Sequence, residues 1–122
     1  MEKYYQPEIE CASREQIRQW QSERLVNQVK NVWENVPMYR KKMEEKGLTP
    51  DDIKSVDDLC KLPFIEKDDL RDGYPYGLLA RPLSECVRIQ STSGTTGRRV
   101  VAFYTQHDID LWVIAARERL WQ

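Results

Sequence analysis

Hydrophobic positions in the first third of the chain recur at the spacing of one helix face. Ile17, Trp20, Leu25, Val29, Val32 and Trp33 follow one another with charged residues between them, the pattern of an amphipathic helix. Ser13 and Gln16 stand just ahead of the run as a capping-box pair. The predicted helix stops at Val36-Pro37, because proline disfavours helical geometry in the residue before it. A second helix is predicted from Met38 to Lys46, with Gly47 as its C-cap. Thr49-Pro50-Asp51-Asp52 sets an N-cap, a first-turn proline and dipole-complementing acids in succession. Ser55-Val56-Asp57-Asp58 repeats that signal. Both predict short helical turns, and Glu66 to Arg71 predicts one more.

The pattern then changes. Leu62-Pro63-Phe64 breaks the helical spacing, and Asp72-Gly73-Tyr74-Pro75-Tyr76-Gly77 is loop chemistry. Val87-Arg88-Ile89-Gln90 alternates apolar and polar residues like a strand, and Val100-Val101-Ala102-Phe103-Tyr104 is a stronger strand signal. Thr105 as N-cap with Asp108 at the third position opens a last helix, whose apolar face carries Ile109, Trp112, Val113 and Ala116. The fold class is therefore α/β: a mainly helical region over 1–80, then strand, loop, strand and helix over 81–122. Two strands alone rarely make a stable sheet, and the chain stops inside its last helical pattern. The expectation is a single incomplete unit, part of a larger domain. Trp20, Trp33 and Trp112 fall on apolar faces and read as core or interface anchors, while Trp121 is expected to be exposed at the end.

Composition adds mainly exclusions. The 122 residues are 40% hydrophobic and 32% charged, with a formal net charge of −1, ordinary for a globular protein. No global field favours nucleic acid or an anionic membrane, no apolar run is long enough to span a bilayer, and Met1 to Pro7 lack the apolar core of a signal peptide. The expected setting is the cytoplasm. Cys11, Cys60 and Cys86 are widely separated and read as reduced thiols. The single histidine, His107, has no evident partners for a metal site or a catalytic triad and reads as a surface or capping residue. The acid pairs Asp51-Asp52, Asp57-Asp58 and Asp68-Asp69 lie near helix starts, where dipole complementation accounts for them. Tyr74 and Tyr76 read as loop packing.

One stretch carries chemistry: Ser91-Thr92-Ser93-Gly94-Thr95-Thr96-Gly97-Arg98-Arg99. Its two glycines allow sharp turning and positive φ, and successive backbone N–H groups in such a turn converge on an anion. The hydroxyls of Thr92, Ser93, Thr95 and Thr96 can donate to phosphate oxygens, and Arg98 adds a guanidinium suited to phosphate geometry. The glycine spacing is not that of a Walker A loop, and a strand rather than a helix is predicted to follow. On composition alone a solvated hairpin loop rich in small residues fits as well.

The string Thr92-Ser93-Gly94-Thr95-Thr96-Gly97 resembles the phosphate-loop signature of the adenylate-forming enzymes. Tyr39-Arg40, Leu62-Pro63-Phe64, Lys67-Asp68-Asp69-Leu70-Arg71, Tyr74-Pro75-Tyr76-Gly77 and Tyr104-Thr105 with Asp108 narrow the resemblance to the N-terminal part of phenylacetate–CoA ligases, over about Tyr4 to Trp112. The resemblance implies a two-step reaction. An arylacetate carboxylate attacks the α-phosphate of ATP, taken with Mg2+, to give an acyl-adenylate and pyrophosphate; coenzyme A then displaces AMP to form the thioester. Thr92, Ser93, Gly94, Thr95, Thr96, Gly97 and Arg98 would embrace the β- and γ-phosphates. The family often has lysine and then proline after the last glycine, where this chain has Arg98 and Arg99. By the same resemblance, the adenine and aryl pockets and the late catalytic lysine lie beyond residue 122, so the chain alone is expected to form no thioester, and no catalytic residue is assigned within it. The competing reading is a non-catalytic module that binds nucleotide or packs on a ligase-like partner, with a homo-oligomer left open by the apolar last helix.

Overall fold

The computed structural model describes residues 4–94 and 97–121, with side chains up to 117 in the last helix. Helices and three-ten turns occupy most of the chain before residue 80, and a two-stranded hairpin followed by a helix occupies the rest.

The long helix α2 (Arg14–Asn35) begins where the capping pair predicts, with Ser13 Oγ accepting from the Gln16 N–H at 3.1 Å. It ends at Val36, which closes α2 by donating to the Val32 carbonyl and at the same time caps α3 (Pro37–Glu45). Proline at the first position of α3 lacks only an N–H that the helix would leave unpaired, so the two helices meet at a one-residue corner. Gly47 ends α3 at φ +67. Its N–H donates to Glu44 and that of Leu48 to Met43, the paired bonds that satisfy the last carbonyls of a helix. A four-residue helix, α1 (Pro7–Glu10), precedes these and was not anticipated. It is too short for periodicity to show, and the Glu10 carboxylate fixes its start by accepting from the Tyr5 and Gln6 amides at 2.9 and 2.7 Å.

The acid pairs do more than complement dipoles. Asp52, Asp58 and Asp69 each accept from the backbone N–H at the cap of their own short helix or turn, at Thr49, Ser55 and Glu66, closing three successive capping boxes. Asp69 also pairs with Lys42 at 2.8 Å, which ties α4 (Lys67–Asp72) to α3. Tyr39 Oη donates to the Pro63 carbonyl at 3.1 Å, so the Leu62–Phe64 segment lies fixed along the same helix.

The core is small. Val29 from α2, Met43 from α3 and Ile53 from the turn after it are buried together, with Leu25, Trp33, Tyr39, Leu48 and Leu62 packed around them. Trp33 takes the anchoring role expected of it, its ring covered by the Arg40 guanidinium at 5.2 Å. Trp20 is half-buried.

Strands β1 (Cys86–Ser91) and β2 (Val101–Thr105) pair antiparallel, Ile89 opposite Phe103 and Ser91 opposite Val101. Val87 is an extra residue in β1, placed between the Cys86–Thr105 and Arg88–Tyr104 pairs. Helix α5 (Gln106–Trp121) follows β2 directly, started by a fourth box in which Asp108 accepts from the Thr105 amide and hydroxyl, each at 2.8 Å. Trp112 departs from expectation: it is 50% exposed, not core. Its ring lies 5.7 Å from Tyr104 and 5.6 Å from the Arg88 guanidinium, stacked on one face of the hairpin because no further layer among the described residues covers that face. The Trp121 side chain lies outside the described residues.

Candidate phosphate loop

The glycine-rich stretch is the connection between β1 and β2. Its foot is fastened by two hydrogen bonds across the hairpin. The Thr92 N–H donates to the Val100 carbonyl at 3.0 Å, and the Val100 N–H donates to Thr92 Oγ1 at 3.1 Å. Thr92 thus adds one rung beyond the last strand pair, and its hydroxyl proton remains available to a ligand because the oxygen is the acceptor in that bond. Further out, the Gly97 N–H points back to the Gly94 carbonyl at 3.4 Å. Gly94 has φ +71 and Gly97 φ +133, backbone that residues with a Cβ rarely adopt. The sequence therefore turns where its glycines predict, and a strand follows the loop.

Thr92, Ser93 and Gly97 are exposed along this turn, and Gly94 is half-buried. Thr95 and Thr96 lie outside the described residues. Arg98 and Arg99 diverge. The Arg98 guanidinium extends to Asp72 at the end of α4, Nη1 to Oδ1 3.7 Å. Arg99 folds beneath the loop, so close that a Cβ at Gly94 would stand 2.7 Å from its Cγ.

The loop sits beside an aromatic wall that sequence reasoning treated as simple loop packing. After α4 the chain turns so tightly that the Gly77 N–H donates to the Gly73 carbonyl at 2.7 Å, and a Cβ at Gly77 would come within 2.9 Å of Gly73 backbone atoms. This turn carries Tyr76 onto Phe103 of β2, ring centroids 5.7 Å apart. A groove of about 260 Å³ runs between Tyr74 and Tyr76 on one side and Ser91, Arg99 and Phe103 on the other. The approach of Asp72 to Arg98 was likewise not read from the sequence. The available signal was weak: Asp72 is the last acid of α4 and, unlike Asp69, caps nothing.

His107 is exposed just inside the start of α5 and touches no part of the loop. Its neighbour Asp108 has its carboxyl held below the usual range by the bonds from Thr105, a capping role. Among the described residues no three His, Cys, Asp or Glu side chains gather as metal ligands. No helix there is long and apolar enough to cross a membrane.

No protein-family profile matches the chain. It is 50% identical over 104 residues to the phenylacetate–coenzyme A ligase of Aromatoleum evansii, covering 85% of this chain and 24% of that protein. It is 47% identical over 110 residues to the phenylacetate–coenzyme A ligase of Escherichia coli, covering 89% and 25%. Its structure superposes on 2-hydroxyisobutyryl-CoA ligase, in complex with 2-HIB-AMP and CoA in the thioesterification state, with a TM-score of 0.87 and 29% identity over 98% of this chain and 26% of that one. The chain spans about a quarter of the length of each of these proteins. In fold it matches the N-terminal part of an adenylate-forming CoA ligase, and in sequence it is similar to the phenylacetate–CoA ligases.

Proposed function

We propose that this chain is the phosphate-handling N-terminal portion of an ATP-dependent arylacetate–CoA ligase. In this reading Thr92, Ser93, Gly94, Thr95, Thr96, Gly97 and Arg98 bind the β- and γ-phosphates of ATP, which arrives with Mg2+ as part of the substrate. The backbone N–H groups of the turn and the hydroxyls beside it hold the triphosphate in place and stabilise charge on the departing pyrophosphate. The acyl-adenylate so formed would pass its acyl group to the thiol of coenzyme A. These reactants point to a cytoplasmic setting. Arginine at 98 keeps a positive charge at the loop and adds a planar fork for two phosphate oxygens.

The observation that supports this best is the pairing of the loop with its frame. The glycine turn is closed at its foot by Thr92 and Val100, within a segment half identical to phenylacetate–CoA ligases. Calorimetric titration of the chain with MgATP tests it. Saturable heat, weakened by Gly94→Ala, is the expected result, with no phenylacetyl-CoA formed by the 122 residues alone. No heat at millimolar nucleotide would remove the phosphate-loop assignment.

A partner-packing role has its own support in the apolar surface of the hairpin. Val87 and Ile89 of β1 are 58% and 61% exposed, alongside the half-exposed Trp112. Sedimentation that finds only monomer over a wide concentration range would count against self-association.

A further inference from the structure

Asp72 is the acid near the loop that local structure leaves unused. In α4, Asp68 pairs with Arg71 and Asp69 closes the capping box and holds Lys42. Asp72 has neither task. It stands at the C-terminal end of a helix, where a negative charge is the less favourable sign, and the charged group it meets is Arg98. Its position is fixed from both sides. The Gly73–Gly77 turn follows it at once, and Tyr76 fastens that turn to Phe103 on the same hairpin that carries the loop.

The contact itself is loose. At 3.7 Å, with both side chains more than 70% exposed, it is an ion pair in water and not a close, desolvated one, so its attraction is weak and screened. The guanidinium keeps most of its five donors free. A triphosphate offers more negative charge and a geometry for two parallel bonds.

Building on the proposed phosphate-loop function, we propose that Asp72 is a positioning residue that holds the Arg98 guanidinium aside in the nucleotide-free loop and yields it to the incoming phosphates. Asp72 and phosphate therefore compete for one cation. Removing the carboxylate strengthens phosphate binding and slows the departure of pyrophosphate, and both effects run through Arg98.

The test is a double-mutant cycle read by titration with inorganic pyrophosphate, using the full 122-residue chain, Asp72→Asn, Arg98→Ala and the double variant. Asp72→Asn is expected to bind pyrophosphate about twofold to fivefold more tightly, the range of an exposed ion pair, and to lose this advantage when Arg98 is already alanine. An equal gain in the Arg98→Ala background would overturn the proposal, because the carboxylate would then act only through general repulsion. The Arg98 Nε–H resonance gives a reading independent of ligand: it shifts in Asp72→Asn if the pair exists, and an unchanged resonance overturns the pair itself. If neither wild type nor variant binds pyrophosphate while the resonance shifts, the phosphate-loop function fails, and with it the competition, leaving only the contact.

Discussion

Gly94→Ala separates a phosphate loop from an ordinary hairpin turn, because its consequences follow from the backbone. Gly94 holds φ +71, and an L-residue in that region pays roughly 1–2 kcal/mol for the approach of its Cβ to the neighbouring carbonyl. The new Cβ would also stand 2.7 Å from Arg99 Cγ and 3.3 Å from the Gly97 carbonyl oxygen. The arginine can rotate away, but it then leaves its place beneath the loop. The alanine loop therefore either keeps the turn at that energy or opens and misaligns its N–H groups. A ligand that needs the turn should bind about 5- to 30-fold more weakly. Global stability should change little, since the loop touches none of the buried core residues.

Gly47 supplies the control. It too has positive φ, at +67, and a Cβ there meets nothing within 4 Å. Gly47→Ala should lower the melting temperature by a few degrees through the α3 terminus and leave phosphate binding intact. Calorimetry with MgATP and a thermal melt on each variant complete the comparison. Unchanged affinity in Gly94→Ala, or equal loss of affinity in both variants, would refute the reasoning.

Other perturbations have equally definite outcomes. Met43→Ala should cost about 2–5 kcal/mol in urea denaturation, because Met43 is fully buried between Val29 and Ile53. The Asp58 carboxyl is held down at about 2 by its bond to the Lys61 ammonium, with the Lys54 and Ser55 amides assisting. A carboxyl depressed on folding stabilises fully above its unfolded value of 3.8 and loses that contribution as pH falls through the folded value. Asp58→Asn should therefore melt below wild type near neutral pH, and the difference should close as pH falls from about 4 toward about 2; a gap that persists in acid would contradict this.

Much of the helical half was legible because its signals are local. Ser13, Pro37 and Gly47 set boundaries through their own backbone chemistry, and the structure places helix ends within a residue or two of them. The capping acids were seen but read only as dipole partners, since spacing does not tell which oxygen reaches which amide. The glycine loop and its flanking strands were legible for the same local reason. What escaped was long-range. The stacking of Tyr76 on Phe103 joins residues twenty-seven positions apart, and the meeting of Asp72 with Arg98 joins residues twenty-six apart. Neither leaves a mark on periodicity. Trp112 was misplaced because a helix face that is apolar in sequence shows a need for cover and not what supplies it.

The distribution of burial leads to a last prediction. The buried hydrophobics are Val29, Val36, Met43 and Ile53, all in the helical half. Among the described residues of the hairpin and α5 none is buried. That half is held by strand pairing, by Tyr76 on Phe103 and by Tyr104 on Trp112. Apolar burial is the larger stabilising term, and a lone two-stranded hairpin is marginal in water. The two halves should therefore open at different free energies. Amide exchange in the isolated chain should be slow at α2 and α3 and much faster at β1 and β2, with the Thr92 and Val100 amides at the loop foot among the first to exchange. A phosphate ligand that needs the closed foot should then slow exchange at those two amides more than at Val29 or Met43, because it binds only the ordered hairpin. Uniform protection across both halves would show that the hairpin shares one cooperative unit with the helices, and the loop would then inherit its order from the core instead of from its own strands.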